Sequence, residues 1–108
     1  MPPPNTEADP ILKRVREELR AAFGDRLARV VLYGSRARGD FHEDSDWDIA
    51  VFLDPIEDRG AEAERLAEIM HRLLLDTGEL VSFQAFPIER LGERTFFMAD
   101  VRREGVSL

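Results

Sequence analysis

A chain of 108 residues, 44% hydrophobic and 34% charged, has the length of one folded domain and no room for a second core. Its formal net charge of −7 argues against broad electrostatic binding to nucleic acid or to an anionic membrane, so no direct nucleic-acid or membrane partner is expected. The lack of cysteine excludes disulfide frameworks, thiolate chemistry and cysteine-based zinc sites. No run of eighteen apolar residues occurs and the N-terminal stretch lacks the regions of a signal peptide, so a cytoplasmic location is expected.

Residues 1–9 carry three consecutive prolines among polar residues, which predicts a flexible arm ahead of a domain over residues 10–108. Asp9 followed by Pro10 reads as an N-cap with proline at the first helical position. Ile11, Val15, Leu19 and Ala22-Phe23 then recur at helical spacing, with Gly24 as the stop. Arg29 to Tyr33 predicts a buried strand. The stretch from Gly34 to Ser45 is too polar and glycine-punctuated for either element. Asp46 to Leu53 predicts a second strand, with Asp46, Asp48, Ala50 and Phe52 on one face and Trp47, Ile49, Val51 and Leu53 on the other. A second helix is expected over residues 60–76, with Leu66, Ile69, Met70, Leu73 and Leu74 as its apolar stripe. Leu80 to Phe86 reads as a third strand stopped by Pro87, and residues 88–102 as a shorter helical stretch. This order predicts a small α/β (α+β) sandwich: a mixed sheet of three or four strands covered by helices.

The chemistry concentrates between Tyr33 and Ile49, YGSRARGDFHEDSDWDI. Gly34 accepts a positive φ and lets main-chain amides approach a ligand, Ser35 adds a hydroxyl, and amide clusters of this kind hold phosphate. Arg36 and Arg38 are near enough to supply charge. Asp46 and Asp48, two apart on a strand, place their carboxylates on one side roughly 6–7 Å apart, a spacing that suits one or two magnesium ions with substrate phosphates completing the shell. Aspartate is depleted in strands, and metal ligation explains two of them leading into Ile-Ala-Val-Phe-Leu. An anionic protein that handles an anionic nucleotide also needs a cation between them. Turn and carboxylates together point to phosphoryl or nucleotidyl transfer.

Two competing motifs fail. Gly34 and Gly39 have the glycine spacing of a P-loop, but Asp40-Phe41 replaces the lysine and hydroxyl residue that must follow. Asp44, Asp46 and Asp48 open like a calcium loop, yet Ile49 stands where glycine is required and Pro55 where the bidentate glutamate belongs.

The segment resembles the polymerase-β type of nucleotidyltransferase superfamily, whose pattern is Gly-Ser, a ten-residue spacer and Asp-x-Asp. The longer string GSRARGDFHEDSDWDIAV resembles the minimal nucleotidyltransferase (MNT) proteins, single domains of about this size. The resemblance implies a small nucleotidyltransferase fold in which Gly34 and Ser35 hold the triphosphate of ATP and Asp46 and Asp48 bind Mg2+ and carry catalysis. It further implies an antitoxin role in a hetero-oligomer with a HEPN-domain ribonuclease toxin, by transfer of AMP to a tyrosine hydroxyl of that toxin. Active members have a third acidic residue on a later strand. Here LVSFQAF offers Ser82 and Gln84 at matching alternation, which leaves Gln84 in doubt as the third position, while Glu79 sits just before the strand. Two readings stay open: a transferase working with two carboxylates, or a catalytically silent nucleotide- and metal-binding antitoxin that occludes its toxin.

Other residues attract plainer expectations. His42 reads as solvent-exposed, His71 as structural, Trp47 as core packing and Tyr33 as packed beneath the phosphate turn. Phe83, Phe86, Phe96 and Phe97 look like core, but Phe96 and Phe97 cannot both face inward, so one is expected at an interface. Glu62, Glu64 and Glu68 read as a solvated helix face.

Overall fold

The computed structural model describes residues 9–108, so the expected arm lies outside the described residues except for Asp9. Helix α1 (Pro10–Phe23) begins where expected: the Asp9 carboxylate accepts a hydrogen bond from the Ile11 N–H at 3.0 Å and Pro10 occupies the first turn. Ile11, Leu12, Val15, Leu19 and Phe23 form its buried stripe. A short 3₁₀ turn, Gly24–Arg26, leads into β1 (Leu27–Tyr33), two residues longer than the apolar run suggests. A single helical turn, α2 (Ser35–Arg38), follows and then β2 (Trp47–Leu53), α3 (Arg59–Thr77) and β3 (Val81–Pro87). The last expected helix is split: Ile88–Gly92 is a 3₁₀ turn, and α4 (Phe96–Glu104) starts anew with the Thr95 hydroxyl accepting from the Met98 N–H. β4 (Val106–Ser107) closes the chain.

The four strands form one mixed sheet in the order β3-β2-β1-β4, with β2 antiparallel to β1 and parallel to β3. Alternation along β2 splits the core in two. Trp47, Ile49, Val51 and Leu53 join the stripes of α1 and α3 on one face, while Ala50 and Phe52 join Phe86, Met98 and Val101 under α4 on the other. The sheet is therefore apolar on both sides, which explains why β1 and β2 read as near-continuous apolar runs. Close packing of α4 depends on Gly105: a Cβ there would lie 2.3 Å from the Val101 carbonyl and 2.4 Å from a Val31 methyl.

Three expectations about α3 are corrected. Glu62 is buried because Arg26, projecting from the turn before β1, donates to both of its carboxylate oxygens at 2.9 and 3.2 Å. His71 is exposed on α3 and holds nothing in the core. Leu74, counted in the apolar stripe, is 41% exposed and Met70 only partly covered, so the buried stripe is Leu66, Ile69 and Leu73.

Candidate active site

The site is assembled where β1 ends and β2 begins. Gly34 (φ 75°) reverses the chain after Tyr33. The N–H groups of Ala37 and Arg38 both donate to the Gly34 carbonyl at 3.1 Å, winding Ser35–Arg38 into one helical turn. Sequence polarity hid this turn, because its order comes from the flanking glycines and from burial of Arg36 and Ala37. As in any first helical turn, the leading amides, here those of Ser35 and Arg36, have no partner within the turn.

Register brings the carboxylates to this turn. Tyr33 and Asp48 are paired across β1 and β2, so Asp48 lies beside the reversal. A Cβ on Gly34 would sit 2.5 Å from Asp48 Oδ2. The absent side chain is thus the space that the carboxylate uses, and the turn and the Asp48 carboxylate touch. Burial pushes the Asp48 carboxyl above the usual aspartate range, Asp46 adds like-charge repulsion, and Arg38 opposes both. The Tyr33 hydroxyl, half-buried on the same face, is also pushed up by burial and by Asp48. Its ring packs edge-on against Phe97 of α4 at 5.3 Å, so Tyr33 is wedged toward α4 as well as lying next to the turn.

The two arginines separate. Arg38 stays on the carboxylate side, exposed, held by Asp40 at 3.3 Å and Glu104 at 3.4 Å. Arg36, expected at the phosphate, is only 7% exposed and lies on the Trp47 face, opposite Asp46 and Asp48. Its guanidinium is sandwiched between the rings of Phe41 and Trp47, 4.3 Å from each centroid. It donates to the carbonyls of Glu43 (3.1 Å) and Ser45 (3.1 and 3.3 Å), and Glu79 lies 3.9 Å away. Glu79 also accepts from Trp47 Nε1 at 3.0 Å. Arg36 therefore clamps the loop that delivers Asp46, and Glu79 belongs to that clamp. Nothing in the sequence flagged the Arg38–Glu104 pair, whose members are 66 residues apart, or the clamp, which exists only once α3 turns back to the start of β2.

The pairing of β3 with β2 sharpens the missing-acid question. Ser82 is in register with Asp48, whereas the exposed Gln84 is opposite Ala50, one step further from the turn. Among the described residues no third His, Cys, Asp or Glu joins the aspartate pair as a metal-binding group. β2 begins at Trp47 and not at Asp46 as expected, so Asp46 ends the loop; it is still near enough to act on Asp48, and two neighbouring carboxylates, one partly desolvated, suit a hard divalent cation whose remaining ligands would come from phosphate and water. His42 is exposed in the loop, as expected.

Known proteins resemble this chain in sequence and in fold. The nucleotidyltransferase domain family matches residues 12–102. A relative from Methanocaldococcus jannaschii, whose name reads "Putative protein adenylyltransferase", is 30% identical over 91% of this chain and 95% of its own. Two solved structures share the fold at lower identity. A toxin-antitoxin crystal structure with AMP-PNP has a TM-score of 0.65 and 23% identity, covering 88% of this chain and 69% of that one. A mutant of the MntA-HpeT toxin-antitoxin has a TM-score of 0.64 and 20% identity over the same shares.

Proposed function

The chain belongs to the nucleotidyltransferase domain family, and from that premise we propose that it is an MNT-type antitoxin that transfers AMP from ATP to a hydroxyl of a HEPN-domain toxin. The observation that carries this reading is the contact between the Gly34 turn and the Asp48 carboxylate, which joins a phosphate cradle to a cation site within one side chain's reach. The relative named for protein adenylylation supports the reaction, and the toxin-antitoxin structures of like fold support the partner.

In this reading the amides of the Gly34–Arg36 turn and the Ser35 hydroxyl receive phosphate oxygens, while Arg38, exposed and held by Asp40 and Glu104, adds positive charge on the same side. Asp46 and Asp48 would hold magnesium, which would supply positive charge against the phosphates and the pyrophosphate leaving group. Arg36 keeps Asp46 in place through the loop carbonyls. The acceptor oxygen forms its bond to the α-phosphorus as the bond to the bridging oxygen breaks. Its proton passes to solvent, since Ser82 and Gln84 offer no base at pH 7. Transfer then relies on positioning and charge, as phosphoryl-type reactions largely do.

The chain, ATP labelled at the α-phosphate, magnesium and the product of the neighbouring gene should yield labelled partner. Asp46→Asn together with Asp48→Asn should lower the yield at least a hundredfold. Equal labelling by wild type and the double variant would overturn the transferase reading. The neutral Ser82 beside Asp48 favours a second reading, a silent antitoxin that occludes its toxin. Full protection of cells by the double variant would select it, whereas lost protection with retained partner binding would exclude it.

A further inference from the structure

Glu104 is the last residue of α4, a position that helix electrostatics do not favour for an acid, because the C-terminal end of a helix carries partial negative charge. Its carboxylate is nevertheless engaged on both oxygens. Oε2 lies 3.4 Å from Arg38 Nη1, and Oε1 lies 3.4 Å from Arg103, which is itself held by Asp100 at 2.7 Å. The chain Asp100–Arg103–Glu104 thus ends at an arginine of the turn that follows Gly34. Arg38 has a second holder in Asp40, but the two acids are not equivalent. Asp40 is two residues further along the same loop and its side chain is 63% exposed, so it belongs to the segment it would have to fix. Glu104 is 27% exposed and stands on α4, whose other end packs against the site through Phe97 and Tyr33, 5.3 Å apart. Asp40 takes Arg38 Nε and Glu104 takes Nη1; among the described residues nothing takes Nη2. That nitrogen is free for a third acceptor, on a guanidinium near enough to Asp48 to act on its carboxyl.

We propose that Glu104 is a positioning residue for the nucleotide: acting through Arg38, it holds that guanidinium on the Asp48 side so that Nη2 meets a phosphate oxygen. The proposal rests on the nucleotide reading of the site given above. Exposed ion pairs of this kind contribute little to folding. Their effect here is to order a long side chain before the ligand arrives, so that less freedom is lost on binding. A Glu104 that competed with phosphate for Arg38 would act with the opposite sign. Removing an acid from a chain of net charge −7 should by itself favour an anionic ligand. A loss of affinity on removing Glu104 therefore runs against the general field of the protein and reports the contact with Arg38.

The test is calorimetry of the full chain with magnesium and an ATP analogue whose α- and β-phosphorus are joined by a methylene group, which blocks transfer. Glu104→Ala should bind about fivefold more weakly than wild type, the weight of one arginine left to be ordered. Its circular dichroism spectrum should be unchanged and its melting temperature near that of the wild type. Glu104→Gln, which keeps an acceptor oxygen at the same reach, should recover part of the loss. Arg38→Gln should weaken binding at least as much as Glu104→Ala, and Glu104→Ala should add nothing in that background. Glu64→Ala, which removes an acid from the exposed face of α3, should not weaken binding. Equal or tighter binding by Glu104→Ala would overturn the proposal, as would additive losses in the double variant or a loss matched by Glu64→Ala. A wild type that binds no analogue would overturn the nucleotide reading and this proposal together, whereas binding with additive losses would overturn this proposal alone.

Discussion

Gly34 and Asp48 were separately legible as a turn residue and a metal-type carboxylate; their contact was not, because it depends on the pairing of Tyr33 with Asp48. Gly34→Ala would place a methyl carbon 2.5 Å from Asp48 Oδ2 at a φ that side chains rarely adopt. The variant should bind a non-hydrolysable ATP analogue with magnesium at least tenfold more weakly by calorimetry, and lose about 1–2 kcal/mol of stability. The Asp48 carboxyl, pushed up in the folded state chiefly by burial and then by Asp46, has a definite sign. A folded pKa above the unfolded one means that the native state favours the protonated form, so stability is lost as pH rises through the carboxylate range. Metal-free Asp48→Asn should therefore melt above the wild type at pH 7, with the gap closing below about pH 4. Magnesium should raise the melting temperature of the wild type more than that of the variant. Arg36→Lys keeps the charge but loses the fork that bridges two carbonyls and the flat face between two rings. It should cost about 2 kcal/mol in urea unfolding. It should also slow transfer through a misplaced Asp46 while ATP analogue binding without metal stays near wild type.

At the scale of elements, periodicity located α1, β2, α3 and β3 to within a residue or so, since each buries a stripe or a face that repeats at its own period. It failed where order comes from elsewhere. The α2 turn is apolar only at Ala37, and the stretch after Pro87 breaks at Glu93–Thr95, where the Arg102 guanidinium takes the Leu91 and Glu93 carbonyls. The two adjacent phenylalanines separate as the geometry of one helix demands: Phe97 packs on Tyr33 and Phe86, and Phe96 is 93% exposed. Glu62 shows how helical position alone misleads. It lies on the turn of α3 that passes Arg26, and its two hydrogen bonds tie that helix to the start of β1. Glu62→Ala should cost about 1–2 kcal/mol by chemical denaturation, less than a fully buried pair because Arg26 remains a quarter exposed. Glu64→Ala, on the solvated face, should change stability by less than about 0.5 kcal/mol.

For the molecule as a whole, Asp48 lies with Tyr33 on the α4 side of the sheet while its neighbour Trp47 packs in the core on the other, so the start of β2 is committed on both faces. The Arg36 clamp and the Glu79 contacts hold the loop from the Trp47 side. No helix among the described residues is long and apolar enough to cross a membrane. The acidic balance is consistent with a nucleotide site that works through a cation.

Composition, periodicity and the Gly-Ser and Asp-x-Asp spacing by themselves determined the layered α/β architecture and the family resemblance, because each is written in residues close along the chain. Tertiary structure decided which arginine lies near Asp48, that Ser82 and not Gln84 stands beside Asp48, and that Glu62 and Glu79 are held in ion pairs and hydrogen bonds. All of these depend on strand order and register, and a shift of one residue in register would reverse each side chain's face.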